Sequence, residues 1–89
     1  MEVHYRQSFL RDIKKLKKHR IYDEIVDLAF TTLPGIMTLR ELTNIKIMKS
    51  HSNRYRIRIG DYRMGIEIHG SMIEIVRALH RRDFYRYFP

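Results

Sequence analysis

Arg54-Tyr55-Arg56-Ile57-Arg58-Ile59-Gly60-Asp61-Tyr62-Arg63 is the stretch from which the fold can be read. Arginine alternates with Tyr or Ile up to Ile59, the period-two pattern of a strand with one apolar and one polar face. Gly60-Asp61 has the composition of a two-residue hairpin loop. A loop of that length sets Ile59 opposite Tyr62 and Arg58 opposite Arg63. Cross-strand neighbours share a face, so two guanidiniums lie side by side, an arrangement that is destabilising. Arg56 falls on the same face opposite Gly65, which brings no side chain. Arg56, Arg58 and Arg63 beside an open glycine position are expected to hold an anion. Phosphate suits them, because its oxygens match the guanidinium fork.

Working outward, Gly70-Ser71 makes a second tight turn, from a strand ending at His69 into a third strand, Met72 to about Leu79. Upstream, Val3 to Tyr5 has the pattern of a short first strand, and Ser8 fits a helix N-cap. Phe9, Ile13 and Leu16 then recur at helical spacing, with Lys14, Lys15, Lys17 and Lys18 on the other side. A second helix is expected from about Ile21, with Ile25, Leu28 and Ala29 on its apolar face and Pro34-Gly35 as its stop. Thr38-Leu39-Arg40-Glu41 has capping-box spacing and starts one short helical turn. The tail, Arg81 to Tyr87, is short, basic and aromatic. The predicted fold is α+β: one domain, residues 1–89, with two N-terminal helices packed on one face of a small, mainly antiparallel twisted sheet.

The turns also fix the facing. Tyr55, Ile57, Ile59, Tyr62, Met64, Ile66 and Ile68 share the helix-covered face with Ile73, Ile75 and Leu79. Arg54, Arg56, Arg58, Arg63, Gly65, Glu67 and His69 share the other with Met72, Glu74, Val76 and Ala78. Arg77 falls on the apolar face, which requires either a sheet edge or a bulge. Glu67 and Glu74 face each other beside Arg54, placed for salt bridges or, less simply, for a base.

The charge balance selects partners. Lys plus Arg number 18 against 10 for Asp plus Glu, a formal net charge of +8. Residues 45–89 hold ten basic and four acidic residues, net +6, while residues 1–44 hold eight and six, net +2. Such an excess favours a polyanion: nucleic acid, ribosome, anionic membrane or acidic protein. Cys is absent, so there is neither a disulfide framework nor a thiolate metal site, and the histidines show no ligand spacing. No apolar segment has the length of a membrane span or the form of a signal peptide, and a cytoplasmic protein is expected.

Tyr55 to Arg63, then Ile73-Glu74-Ile75-Val76-Arg77, then His80-Arg81-Arg82-Asp83-Phe84-Tyr85-Arg86 together resemble the RelE/ParE superfamily, the toxins of type II toxin–antitoxin pairs. The resemblance covers nearly the whole chain in length and element order. It implies a RelE-like fold and a ribosome-dependent endoribonuclease that cuts the messenger in the A site through its 2′-hydroxyl. A cognate antitoxin, the ribosome and messenger RNA are the implied partners, with no cofactor, no metal and no membrane. The family's basic strand positions match Arg56 and Arg58. The arginine after the hairpin turn matches Arg63, the one after the last strand Arg81, and the tail tyrosine, across a short gap, Tyr85.

Two departures stand out. RelE itself carries lysine where this chain has Arg56 and Arg58, and arginine effectively never gives up its proton. His80 is then the expected substitute base. Leu79 stands where many relatives have glycine. Lys14, Lys15, Lys17, Lys18, Arg54 and Arg82 are expected to meet RNA or ribosome phosphates. Alternating arginines also serve simply as a solvated, edge-protecting strand face. Two other functions fit the same fold: a ParE-like gyrase inhibitor, and a catalytically inactive RNA-binding relative.

Overall fold

The computed structural model describes the whole chain, Met1–Pro89. β1 (Glu2–Tyr5) leads into α1 (Gln7–Lys15). α2 (Tyr22–Asp27) then runs through a π-helical turn, Leu28–Thr32, into α3 (Leu33–Gly35). A 3₁₀ turn (Leu39–Glu41) precedes β2 (Ile45–Ile47), β3 (Arg54–Ile59), β4 (Tyr62–His69), β5 (Met72–His80) and α4 (Arg81–Tyr87). The strands lie in the order β1-β5-β4-β3-β2, with β1 parallel to β5 and every other pair antiparallel. The fold is α+β, as expected, with β2 and α4 as elements the sequence did not announce. No helix is long and apolar enough to cross a membrane.

The hairpin register is the expected one, Ile59 opposite Tyr62 and Arg58 opposite Arg63. Gly60 sits at φ 56°, the left-handed conformation that glycine at the first position of a type II′ turn supplies without steric cost. Phe9, Ile25, Ala29 and Leu33 from the helices close on Ile57, Met64, Ile66, Ile73 and Ile75 from the sheet. Burying each large apolar side chain is worth roughly 1.5–3 kcal/mol. The Thr38–Glu41 capping box forms: the Glu41 carboxylate accepts from the Thr38 N–H at 3.0 Å and the Met37 N–H at 2.7 Å.

Ser8 does not cap α1. The helix begins at Gln7 with Arg6 at its N-cap, two residues earlier, and the Ser8 hydroxyl donates to the Val76 carbonyl at 2.6 Å. β1 ends at Tyr5, which leaves that edge of β5 without a strand partner past Ile75. Ser8 and Asp12 lie one helical turn apart on the same face and cover that gap, Asp12 accepting from the Ala78 N–H at 2.9 Å. One turn of helix matches two residues of strand, roughly 5.4 against 6.6 Å. Asp12, only 5% exposed, also takes Arg77 Nε at 2.8 Å and Nη2 at 3.0 Å. The hydrogen bond to Asp12 raises the Arg77 pKa above its usual value.

A bulge explains Arg77. Gly65 pairs with Arg77 and Ile66 with Ile75, leaving Val76 as the extra residue. Alternation therefore inverts beyond it. Ala78 joins the helix-side core and Leu79 the opposite face, the reverse of the unbulged expectation.

The opposite face has its own small core, Val76 with Phe84 and Phe88 of the tail. Phe84 and Phe88 are four apart, so α4 lays both rings on the sheet. Gly65 is accordingly not open. A Cβ there would stand 2.7 Å from Phe88 Cγ and Cδ1. The glycine admits a ring rather than an anion.

Candidate functional site

Beside α4 the basic face stays bare. Arg58 lies opposite Arg63, and on the next ladder Lys46 of β2 lies opposite Arg56. No carboxylate pairs with Lys46, Arg56 or Arg58. Two like-charge pairs side by side are held at a cost. Arg63 folds back on the hairpin tip, its Nη1 donating to the Gly60 and Tyr62 carbonyls at 2.9 Å each. Its buried Nε has no partner, an omission that typically costs about 1–3 kcal/mol.

The same tip positions α4. The Arg81 N–H donates to the Asp61 carbonyl at 2.8 Å, and Arg81 Nε stands 3.9 Å from the Asp61 carboxylate. The Arg81 side chain is 63% exposed. Tyr85 follows one turn later on the same stripe of α4. It lines a groove with Arg56, Lys46, Lys49, Ile47 and Met48. The structure thus gathers Arg56, Arg58, Arg63, Arg81 and Tyr85 about one face. It adds Lys46 and Lys49, which sequence reading missed. Ile45-Lys46-Ile47 does alternate, but three residues are too few to read as a strand.

His80 is not part of that gathering. It pairs with Tyr62 on the helix side of the sheet, the rings edge to face at 5.3 Å. Its Nδ1 accepts from the Arg82 N–H at 3.2 Å, which makes His80 the N-cap of α4. In the neutral ring that bond leaves the proton on Nε2.

Arg54 is neutralised by Glu67 at 3.1 Å. Glu67 and Glu74 lie opposite each other, and Arg6 bridges them at 3.4 and 2.6 Å. His69 stands 3.2 Å from Glu67 and 3.5 Å from Glu74. The two glutamates are therefore salt-bridged. The hydrogen bond from Arg6 holds Glu74 below the usual carboxylate range. The ligand atoms of Glu67, His69 and Glu74 lie within 4.8 Å of one another. The guanidiniums of Arg6 and Arg54 occupy the carboxylates that a cation would use.

The lysines divide. Lys14 and Lys15 close the last turn of α1, where cations favour the helix dipole. Lys17 and Lys18 lie beyond the helix in the following turn, not on its face as the periodicity suggested. Arg82 is exposed and turns to a cleft on the α1 side of α4, shared with Lys15.

No family model matches the chain. It is 37% identical over 90 residues to Toxin RelE3 of Methanocaldococcus jannaschii, with 100% of both chains covered. Among solved structures it resembles a chain of the RelB-RelE antitoxin-toxin complex from Methanococcus jannaschii. There the identity is 34%, the TM-score 0.64, and the cover 97% of this chain and 99% of that one. A chain of the toxin-antitoxin complex RelBE2 from Mycobacterium tuberculosis matches at 26% identity and TM-score 0.69, covering 90% of this chain and 96% of that one. The E. coli DinJ-YafQ complex, at TM-score 0.74 and 13% identity over 94% of this chain and 97% of the other, shares the fold.

Proposed function

This chain belongs to the RelE family of toxin–antitoxin toxins, and from that premise we propose that it cuts messenger RNA in the ribosomal A site. The 2′-hydroxyl of one nucleotide attacks the adjacent phosphorus and the P–O5′ bond breaks, leaving a 2′,3′-cyclic phosphate on one fragment and a 5′-hydroxyl on the other. Arg56, Arg58, Arg63 and Arg81 stabilise the negative charge that builds on the phosphoryl oxygens. The observation that carries this reading is the Arg58–Arg63 pair on the hairpin whose tip also holds Arg81. A bound phosphate converts that repulsion into attraction. Tyr85, one turn from Arg81, offers a ring on which a base can stack.

Arginine takes no part in proton transfer, so these side chains act by charge and orientation. His80 is assigned a positioning role: its cap fixes the start of α4 and hence Arg81. The attacking hydroxyl loses its proton to solvent and the departing 5′-oxygen takes one up, so the step balances without a base on this face. Lys14, Lys17 and Lys18 add affinity for ribosomal RNA phosphates, and action on ribosomes places the protein in the cytoplasm.

The relatives solved with antitoxins support a similar partner here. We assign it an acidic segment that folds on binding, either across the groove of Lys46, Arg56 and Tyr85 or in place of α4. Translation in vitro with primer extension on the messenger, run beside a gyrase supercoiling assay, tests the function. Cuts inside A-site codons that require ribosomes are expected. Intact messenger with blocked supercoiling would overturn the nuclease reading.

A further inference from the structure

A second cleft, about 550 Å³ against about 310 Å³ for the groove of Tyr85, lies between the end of α1 and the other side of α4. That volume lies within the roughly 300–1,000 Å³ common to ligand sites. The mechanism above makes no use of it.

Its floor is rigid. Asp12 clamps the Arg77 guanidinium through two hydrogen bonds, and Tyr87 packs with its ring centroid 5.4 Å from Arg77 Cζ. Tyr87 remains 53% exposed, so part of its ring is open to a ligand. Lys15 and Arg82 stand on the rim without an ion pair, and so does the Asp83 carboxylate. Leu16 and Leu79 supply apolar walls. A stacking surface, two free cations and one free acceptor make a set that a nucleotide satisfies: a ring to stack, a phosphate, and base N–H groups to donate.

We propose that this cleft binds one nucleotide of the RNA beside the cut, its phosphate on Lys15 and Arg82, its base on Tyr87, and guanine favoured by Asp83. The assignment of that nucleotide to the messenger rests on the nuclease reading. Guanine presents N1–H and an exocyclic amine to a carboxylate, whereas cytosine presents a single amine beside two acceptors.

Titration of the protein with guanosine 3′-monophosphate, cytidine 3′-monophosphate and inorganic phosphate tests the site, with the Leu16, Ala78 and Leu79 methyl signals as the readout. Saturable shifts are expected for both nucleotides, with guanosine about tenfold tighter. Asp83→Asn should remove that difference, and Leu16→Trp, which fills the cleft, should remove binding. Tyr87→Ala serves the same purpose if the tryptophan variant does not fold. Shifts that never saturate, equal affinity for the two nucleotides, or the same response to phosphate alone would each overturn the proposal. On ribosomes, Asp83→Asn should flatten the base preference among cut sites, and an unchanged preference would also overturn it. A wild-type protein that cuts no messenger but still selects guanosine in the titration refutes the nuclease reading alone.

Discussion

Gly65→Ala tests the packing that holds α4 over the sheet. The new Cβ would lie 2.7 to 2.8 Å from three ring atoms of Phe88, against 3.4 Å for the start of ordinary contact. The ring must retreat by about 0.7 Å, the difference between 3.4 and 2.7 Å, and overpacking of this kind costs roughly 1–3 kcal/mol. Expelling the ring instead, from a site only 2% exposed, forfeits roughly 1.5–3 kcal/mol. Both routes lead to the same range, and each kcal/mol lowers Tm by about 4–8 °C in a domain of this size. Urea unfolding of the wild type, Gly65→Ala, Phe88→Ala and the double variant measures the coupling. Once the ring is gone the three nearest obstacles to the methyl go with it, so the double variant should match Phe88→Ala. Since α4 carries Arg81 and Tyr85, Gly65→Ala should also weaken growth arrest. A cost below about 0.5 kcal/mol, within ordinary surface scatter, or an equal cost with and without Phe88, would refute the reasoning.

Arg63→Ala and Arg81→Ala should each lower messenger cleavage by about 10²–10³ while circular dichroism shows folded protein. Full activity in both would remove them from the site. Replacing Lys14, Lys17 and Lys18 with Gln should flatten the salt dependence of ribosome binding, the slope falling by somewhat less than one for each phosphate that a lysine no longer neutralises. An unchanged slope would show that these lysines point elsewhere. Acid titration of stability should show Glu74: its folded pKa lies below the ordinary 4.5 because of Arg6. Its contribution is therefore complete above about 4.5 and is lost as pH falls through the lower folded value. Arg6→Gln should shrink that acid-side loss, and an identical acid profile for the two proteins would dissociate Arg6 from it.

The hairpins were legible because alternation and two glycine turns determine register residue by residue. Arg58 opposite Arg63 and Arg56 opposite Gly65 followed from Gly60-Asp61 alone. What Gly65 is for did not follow, since nothing local says that the chain returns to cover it. Phe84 and Phe88 carried a readable signal, two rings at helical spacing, in a tail only seven residues long before its cap. The bulge at Val76 escaped because extra residues leave no mark in an apolar run such as Ile75-Val76, although Arg77 on the wrong face betrayed it. Ser8 was misplaced for a related reason: its hydroxyl serves a strand 68 residues away, and such a claim outweighs a local capping preference. His80 was chosen for its chemistry, and only pairing with Tyr62 reveals which side of the sheet it faces.

The order in which the pieces are made has a consequence for the cell that makes them. β1 finds its partner only in residues 72–75, and the wall that carries Arg81 and Tyr85 follows β5 in the chain. Contacts so distant in sequence form late and slowly. Until residues 72–88 have been made, the hairpin arginines can exist but the strand and helix beside them cannot. A nuclease of the kind proposed is thus completed only once β5 and α4 have joined the earlier elements.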